Sequence, residues 1–166
     1  MRLSPFAASL ALLLAACSPG AGEASPAADQ TAGGQAAGAV HPVSGLAVVP
    51  LTITGGKARH TFRVEVAGTS AEQAKGLMFR TAMGADEGMI FPMNPPRMAS
   101  FWMRNTVIPL DLVFVGPDGR ITNIAANAVP YDERPLSSAG LVKGVLELNG
   151  GRAAQMGIVA GDMVEW

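Results

Sequence analysis

The amino-acid sequence predicts a mainly β domain, a sandwich or partly closed barrel with one or two short helices. From residue 46 onward, short runs rich in Val, Ile, Thr and Phe recur, and several alternate apolar with polar side chains at the period of a half-buried strand. Gly and Pro turn signals separate these runs at short intervals, leaving room for some seven or eight strands. Only two segments carry the capping residues of a helix.

The elements follow in order. Leu46 to Thr54 is rich in β-branched residues and stops at Gly55-Gly56. His60, Phe62, Val64 and Val66 then alternate with Thr61, Arg63 and Glu65. Thr69 or Ser70 is placed to cap a helix through Ala71 to Lys75 that ends near Phe79, with Gly76 weakening it. Gly88 to Phe91 and Ser100 to Met103 flank a Pro-rich loop, Pro92 to Arg97. Leu110 to Val115 is nearly continuous in apolar residues and reads as a central strand. Pro117-Asp118-Gly119 turns it into Arg120 to Ile124, a hairpin. Val145 to Leu148 is a further strand. Asn149 is placed to cap a short helix through Arg152 to Met156, with Gly157 as its left-handed stop, and Asp162 to Trp166 closes the chain as a strand. No internal repeat is visible.

The N-terminal part follows different rules. Arg2 supplies a positive start, and Leu3 to Leu14 is an apolar run too short for the roughly 20 residues that span a bilayer. It fits the apolar region of a secretory signal. The run ends in Leu14-Ala15-Ala16-Cys17, which resembles the lipobox of bacterial lipoproteins, and Cys17 is the sole cysteine. Its expected fate is therefore lipidation, and acyl chains give stable anchoring through about 0.8 kcal/mol per buried methylene. By the same resemblance, Ser18 in place of Asp favours the outer membrane. Ser18 to Gly45 has no Leu, Ile, Met or aromatic residue, and Ala, Gly, Pro and Ser fill 20 of its 28 positions, too little apolar surface to offset ordering entropy. The expected organisation is a signal peptide at 1–16, a lipidated Cys with flexible linker at 17–45, and a β domain at 46–166. His41 is expected to be solvated at the end of the linker. The expected location is the cell envelope, lipid-anchored and facing the periplasm.

Charge excludes one class of partner. Between residues 46 and 166, eleven Lys and Arg balance eleven Asp and Glu, without the basic excess of a nucleic-acid binder. With Cys17 lipidated, His41 and His60 are too few for a zinc-type site, and no metal or cofactor is expected. The polar residues set within apolar motifs are the site candidates: Trp102, Arg104, Asn105, Asp111 and Glu147. Arg104 and Asp111 bracket a bend, with Asn105 and Thr106 inside it. One reading pairs Arg104 with Asp111 as a structural staple, since guanidinium and carboxylate meet with two bonds. The other makes the bend a ligand pocket floored by Trp102. If Phe101 and Met103 face the core, Trp102 points outward.

Two further chemistries are open. A hydrolase needs two facing carboxylates about 5–10 Å apart, drawn from Asp86, Glu87, Asp111, Asp132, Glu133 and Glu147. Glu147, in an apolar strand, either faces solvent or is buried with a partner, and Asp132-Glu133-Arg134 reads as a solvated loop between Pro130 and Pro135. Met78, Met83, Met89, Met93, Met98 and Met103 crowd one region. Thioethers pack irregular cores, form adaptable surfaces, or bind Cu(I). No catalytic residue is assigned.

A resemblance narrows the fold. Gly76-Leu77-Met78-Phe79-Arg80, Glu87-Gly88-Met89-Ile90-Phe91, Phe101-Trp102-Met103-Arg104-Asn105-Thr106, Ile108-Pro109-Leu110-Asp111 and Val145-Leu146-Glu147-Leu148-Asn149-Gly150-Gly151 follow one another in the order and spacing of one family. The stretch from about Val64 to Val164 thus resembles the domain of unknown function 192 family. The family usually has Lys where this chain has Arg104. The resemblance implies a mainly β, jelly-roll-like fold with short helices, and carries no activity, cofactor or catalytic residue. The functional expectation is a membrane-tethered envelope lipoprotein acting as a non-enzymatic binding or interaction module, with an envelope protein or glycan as partner. A small carboxylate hydrolase and a Met-based Cu(I) binder are the alternatives.

Overall fold

The computed structural model describes residues 39–166. Their order is β1 (Ala39–Val40), β2 (Ala47–Gly55), β3 (Ala58–Val66), α1 (Ser70–Lys75), β4 (Glu87–Arg97), β5 (Ser100–Phe101), β6 (Leu110–Val115), β7 (Ile121–Ala128), β8 (Leu136–Ser137), β9 (Val142–Asn149), α2 (Arg152–Met156) and β10 (Met163–Glu165). Eight of these strands make one mixed sheet in the order β1-β2-β3-β4-β9-β6-β7, with β10 also pairing β2. Only the β3–β4 pair is parallel among them. A single bridge between Arg120 and Met163 brings β10 to the root of β7. The sheet therefore curls back towards itself without becoming a closed barrel. β5 and β8 form a separate two-stranded sheet.

Two apolar cores follow from side-chain alternation. In β9, Leu146 and Leu148 join Leu51, Ile53, Phe62, Val64, Ile90 and Val113 in one core. Val145, from the other face of β9, joins Met89, Phe91, Met93, Met103, Leu112 and Phe114 in the second. Covered on both sides, β6 is buried along its whole length, which is why its sequence is nearly continuous in apolar residues. Each fully buried Leu or Phe contributes about 1.5–3 kcal/mol relative to exposure.

The helix starts differ in how they are capped. Thr69 caps α1 as a full capping box with Glu72. The helix ends at Lys75, short of Phe79, because Gly76 turns away with φ 46°. α2 is not capped by Asn149 as expected. Its N-cap is Gly151, and the Asn149 amide instead donates to the carbonyls of Met83 and Gly84. Gly157 ends α2 in the left-handed conformation.

Two boundaries also differ from expectation. The Pro-rich segment Pro92 to Arg97 is the irregular second half of β4, where the register against β9 shifts and resumes at Arg97–Val142. Proline carries no amide proton for the ladder, so the pairing lapses there. The ordered domain also starts ahead of residue 46. β1 pairs with β2, and the backbone of His41 bonds to Leu46 and Gly45. His41 itself is part-buried, its Nδ1 accepting from the Val43 and Ser44 amides and its Nε2 lying 3.6 Å from Glu65. Backbone pairing thus recruits a segment too poor in apolar residues to form a core of its own. The signal peptide, Cys17 and linker residues 18–38 lie outside the described residues. No described helix is long and apolar enough to cross a membrane.

Candidate functional site

The candidate site grows from the alternation of β9. Glu147 pairs with Met89 of β4 on one side and Leu112 of β6 on the other, so its side chain points into the second core. It is 5% exposed, and among the described residues no group donates a hydrogen bond to its carboxyl, whose oxygens open onto the cleft. Burial pushes its pKa up to about 8, so the group is largely a neutral acid at neutral pH.

Glu147 lies at the base of a cleft of about 380 Å³. β4 supplies Phe91 and Met93, the turn after α1 supplies Leu77 and Met78, and the segment after β4 supplies Met98, Phe101 and Trp102. Phe101 packs edge-on against Phe91 and Phe114, with centroids 5.1 and 6.5 Å apart, which fixes one wall. Thr106 is the second buried polar side chain in the lining, its hydroxyl donating to the Arg104 carbonyl at 3.3 Å. Lys75 and Arg97 stand exposed at the mouth, Arg97 donating to the Gln73 side-chain oxygen at 3.3 Å. A larger hollow, about 860 Å³, lies between residues 43–46 and 71–82. Glu72 is engaged there in the α1 cap and Arg80 with Glu65, and the remaining ionic group, Lys75, is exposed and shared with the smaller cleft, which alone of the two holds a buried carboxyl and is the stronger candidate.

The predicted site residues divide into three places. Trp102 is 48% exposed at the mouth rather than at the floor, while Phe101 and Met103 turn inward. The Arg104 guanidinium stacks 4.1 Å from the Trp102 ring and pairs with Glu133 at 2.7 Å. That pairing holds the Glu133 carboxyl below its ordinary range and Arg104 above its own. The expected Arg104–Asp111 staple does not form. Asp111 is fully buried on the opposite face of the sheet, where it accepts the amides of Asn127 at 2.7 Å, Gly151 at 2.9 Å and Ala153 at 2.8 Å. It thereby serves as the cap that α2 lacks in its own sequence. Asn105, at φ 55°, accepts the Phe79 amide on its carbonyl at 2.8 Å and so ties the cleft-lining turn to the motif loop.

Other residues were not legible as site or scaffold. Glu65, read as the polar face of a half-buried strand, is 3% exposed and meets Arg80 with two bonds of 2.9 and 3.0 Å. Gln73 donates to the carbonyls of Ala67 and Pro92, fastening α1 over the cleft. Neither contact has a local sequence signal, because the partners are 15 and 19 residues apart in the longer-range cases. Among the six crowded methionines, Met89, Met93 and Met103 are buried, and Met78, Met93 and Met98 line the cleft. Among the described residues no group of three or more His, Cys, Asp and Glu is arranged to hold a metal.

The chain is similar to proteins of known structure. A crystal structure of a protein of unknown function from Novosphingobium aromaticivorans DSM 12444 is 69% identical, with a TM-score of 0.77, covering 80% of this chain and 94% of that one. A protein from Sinorhizobium meliloti 1021, provisionally described as a transcription regulator, is 36% identical, with a TM-score of 0.70, covering 72% of this chain and 94% of that one. No curated protein matches the chain. The family model for DUF192, described as an uncharacterized ACR, matches residues 51–166, a span that includes the cleft, its floor and the Asp111 hub. The chain therefore belongs to the DUF192 family.

Proposed function

We propose that this protein is a lipid-anchored envelope lipoprotein whose β domain binds a small ligand in the cleft above Glu147. One observation carries the binding reading: a mostly buried carboxyl that no protein group meets, opening onto a cleft. Its oxygens open onto the cleft rather than being sealed in the core, so a ligand can supply the donors that the protein does not. The cleft volume of about 380 Å³ is in the range of small-molecule sites, and its lining is divided about equally between apolar and polar surface. The anchor rests on the Leu14 to Cys17 run alone.

Competing readings have less support. A two-carboxylate hydrolase finds one carboxylate in the cleft lining, Glu147. The provisional description of the Sinorhizobium protein does not transfer: charges in the domain balance, and Arg80, Arg104, Arg134 and Arg152 are engaged in ion pairs. Cu(I) keeps a place as a second reading, because the thioethers of Met78, Met93 and Met98 share the cleft.

The binding test is ligand-observed NMR of small aromatic and alkyl fragments against the wild type and Ser100→Trp, which plugs the mouth from an exposed position. Fragments should bind the wild type and lose contact with the variant. Binding that ignores the plug, or no binding to the wild type, would overturn the reading. The anchor is tested separately: Cys17→Ser should abolish incorporation of labelled palmitate, and persistent labelling removes the tether from the proposal.

A further inference from the structure

We propose that the ligand of this cleft is a small organic cation, an alkyl- or arylammonium, with Glu147 as its counter-ion. The inference rests on the binding reading above and names the ligand's class. Among the described residues Glu147 is the only ionisable group at the base of the cleft, and it is 5% exposed with no hydrogen-bond donor from them directed at it. An ammonium brings the donors the carboxyl lacks, and such charge-assisted bonds are roughly twice as strong as neutral ones. The walls suit the same guest. The Phe91 and Phe101 rings and the Met93 thioether are polarizable, and aromatic faces attract cations through their quadrupole.

An anionic ligand would have to set its charge against a carboxyl on the floor. The mouth cations, Lys75 from α1 and Arg97 from β4, are the other titratable groups of the lining. Both are exposed, so solvent and salt screen them from the floor, and Arg97 is turned onto Gln73. Burial already holds Glu147 in its protonated form at neutral pH. An entering cation reverses that preference. The carboxylic acid gives up its proton to the solvent, the carboxylate pairs with the ammonium, and the charge in the cleft stays the same. Cation uptake is therefore accompanied by proton release.

Isothermal titration calorimetry of the mature chain tests this with benzylammonium, benzyl alcohol and benzoate, in buffers of different ionisation enthalpy at neutral pH. Benzylammonium should bind at least about tenfold more tightly than either isostere. Its binding should release close to one proton. Glu147→Gln should lose both the preference and the proton release. If Glu147→Gln does not fold, Ser100→Trp must abolish the benzylammonium signal and its proton release together. Equal or tighter binding of benzyl alcohol or benzoate overturns the cation assignment while leaving the cleft as a binding site. Benzylammonium binding without proton release overturns the role of Glu147, and a wild type that takes up none of the three probes overturns the assignment outright.

Discussion

Asp111 and Glu147 lie on paired strands and are almost equally buried, yet their surroundings are opposite. In the β6–β9 register Asp111 faces Leu148 and Leu112 faces Glu147, so an offset of one residue sends the two carboxyls to different faces of the sheet. Asp111 takes three backbone amides from the β7 end and the start of α2. Glu147 takes none, and burial alone pushes it up to about 8. Glu65 is a third case, buried but met by the Arg80 fork. Burial by itself does not tell what a carboxylate does; the donors that reach its oxygens do. Two of these groups hold the fold together, and the third is left open to a cleft.

The contrast should show first in stability. Asp111→Ala leaves three amides without their acceptor and should cost about 3–5 kcal/mol. Asp118→Ala removes one bond to the Arg120 amide in an exposed turn and should cost below about 1 kcal/mol. Urea unfolding of the two variants checks this, and equal losses would remove Asp111 as a structural hub.

Glu147 should reveal itself through pH. Its folded pKa of about 8 lies above the ordinary 4.5, so the folded state holds a proton that the unfolded state gives up. Stability from this group is therefore fully present below the unfolded value and declines as pH rises towards about 8, by roughly 1.4 kcal/mol per unit of difference. Glu147→Gln should flatten that slope, matching the wild type near pH 5 and exceeding its stability near about pH 8. A wild type whose urea midpoint is level across the window would mean that Glu147 has found a partner, and the contrast with Asp111 would lapse.

The smallest effect belongs to the mouth. Trp102 is 48% exposed and stacks on Arg104, so Trp102→Ala should change stability by no more than about 1 kcal/mol while weakening capture of ligand at the cleft. A loss near the roughly 3–5 kcal/mol of a core aromatic would make Trp102 part of the scaffold instead.

Much of the fold was legible because its signals are local. The capping box at Thr69 and Glu72, the Pro117 to Gly119 turn into β7 and the left-handed Gly157 each act within a few residues. The outward turn of Trp102 follows from Phe101 and Met103 both entering the core. The Arg104–Asp111 pairing failed for the opposite reason. Proximity in sequence is not proximity in space here: β6 carries Asp111 to the far face, and Glu133, in a loop 29 residues on, reaches Arg104 instead. Asn149 failed as a helix cap in the same way, since the acceptor for α2 comes from a strand 40 residues earlier.

The sequence by itself determined the β class, the short helices, the near-neutral surface and the family motifs, because alternation, caps and turns are written residue by residue. It also singled out Glu147 as a polar residue in an apolar strand that had to face solvent or a partner. Only the tertiary structure decided that it is buried without a protein partner, its carboxyl opening onto a cleft. Whether a buried carboxyl is satisfied depends on which donors the register, the crossover and the second core bring within about 3 Å, and those donors belong to elements far away in the chain.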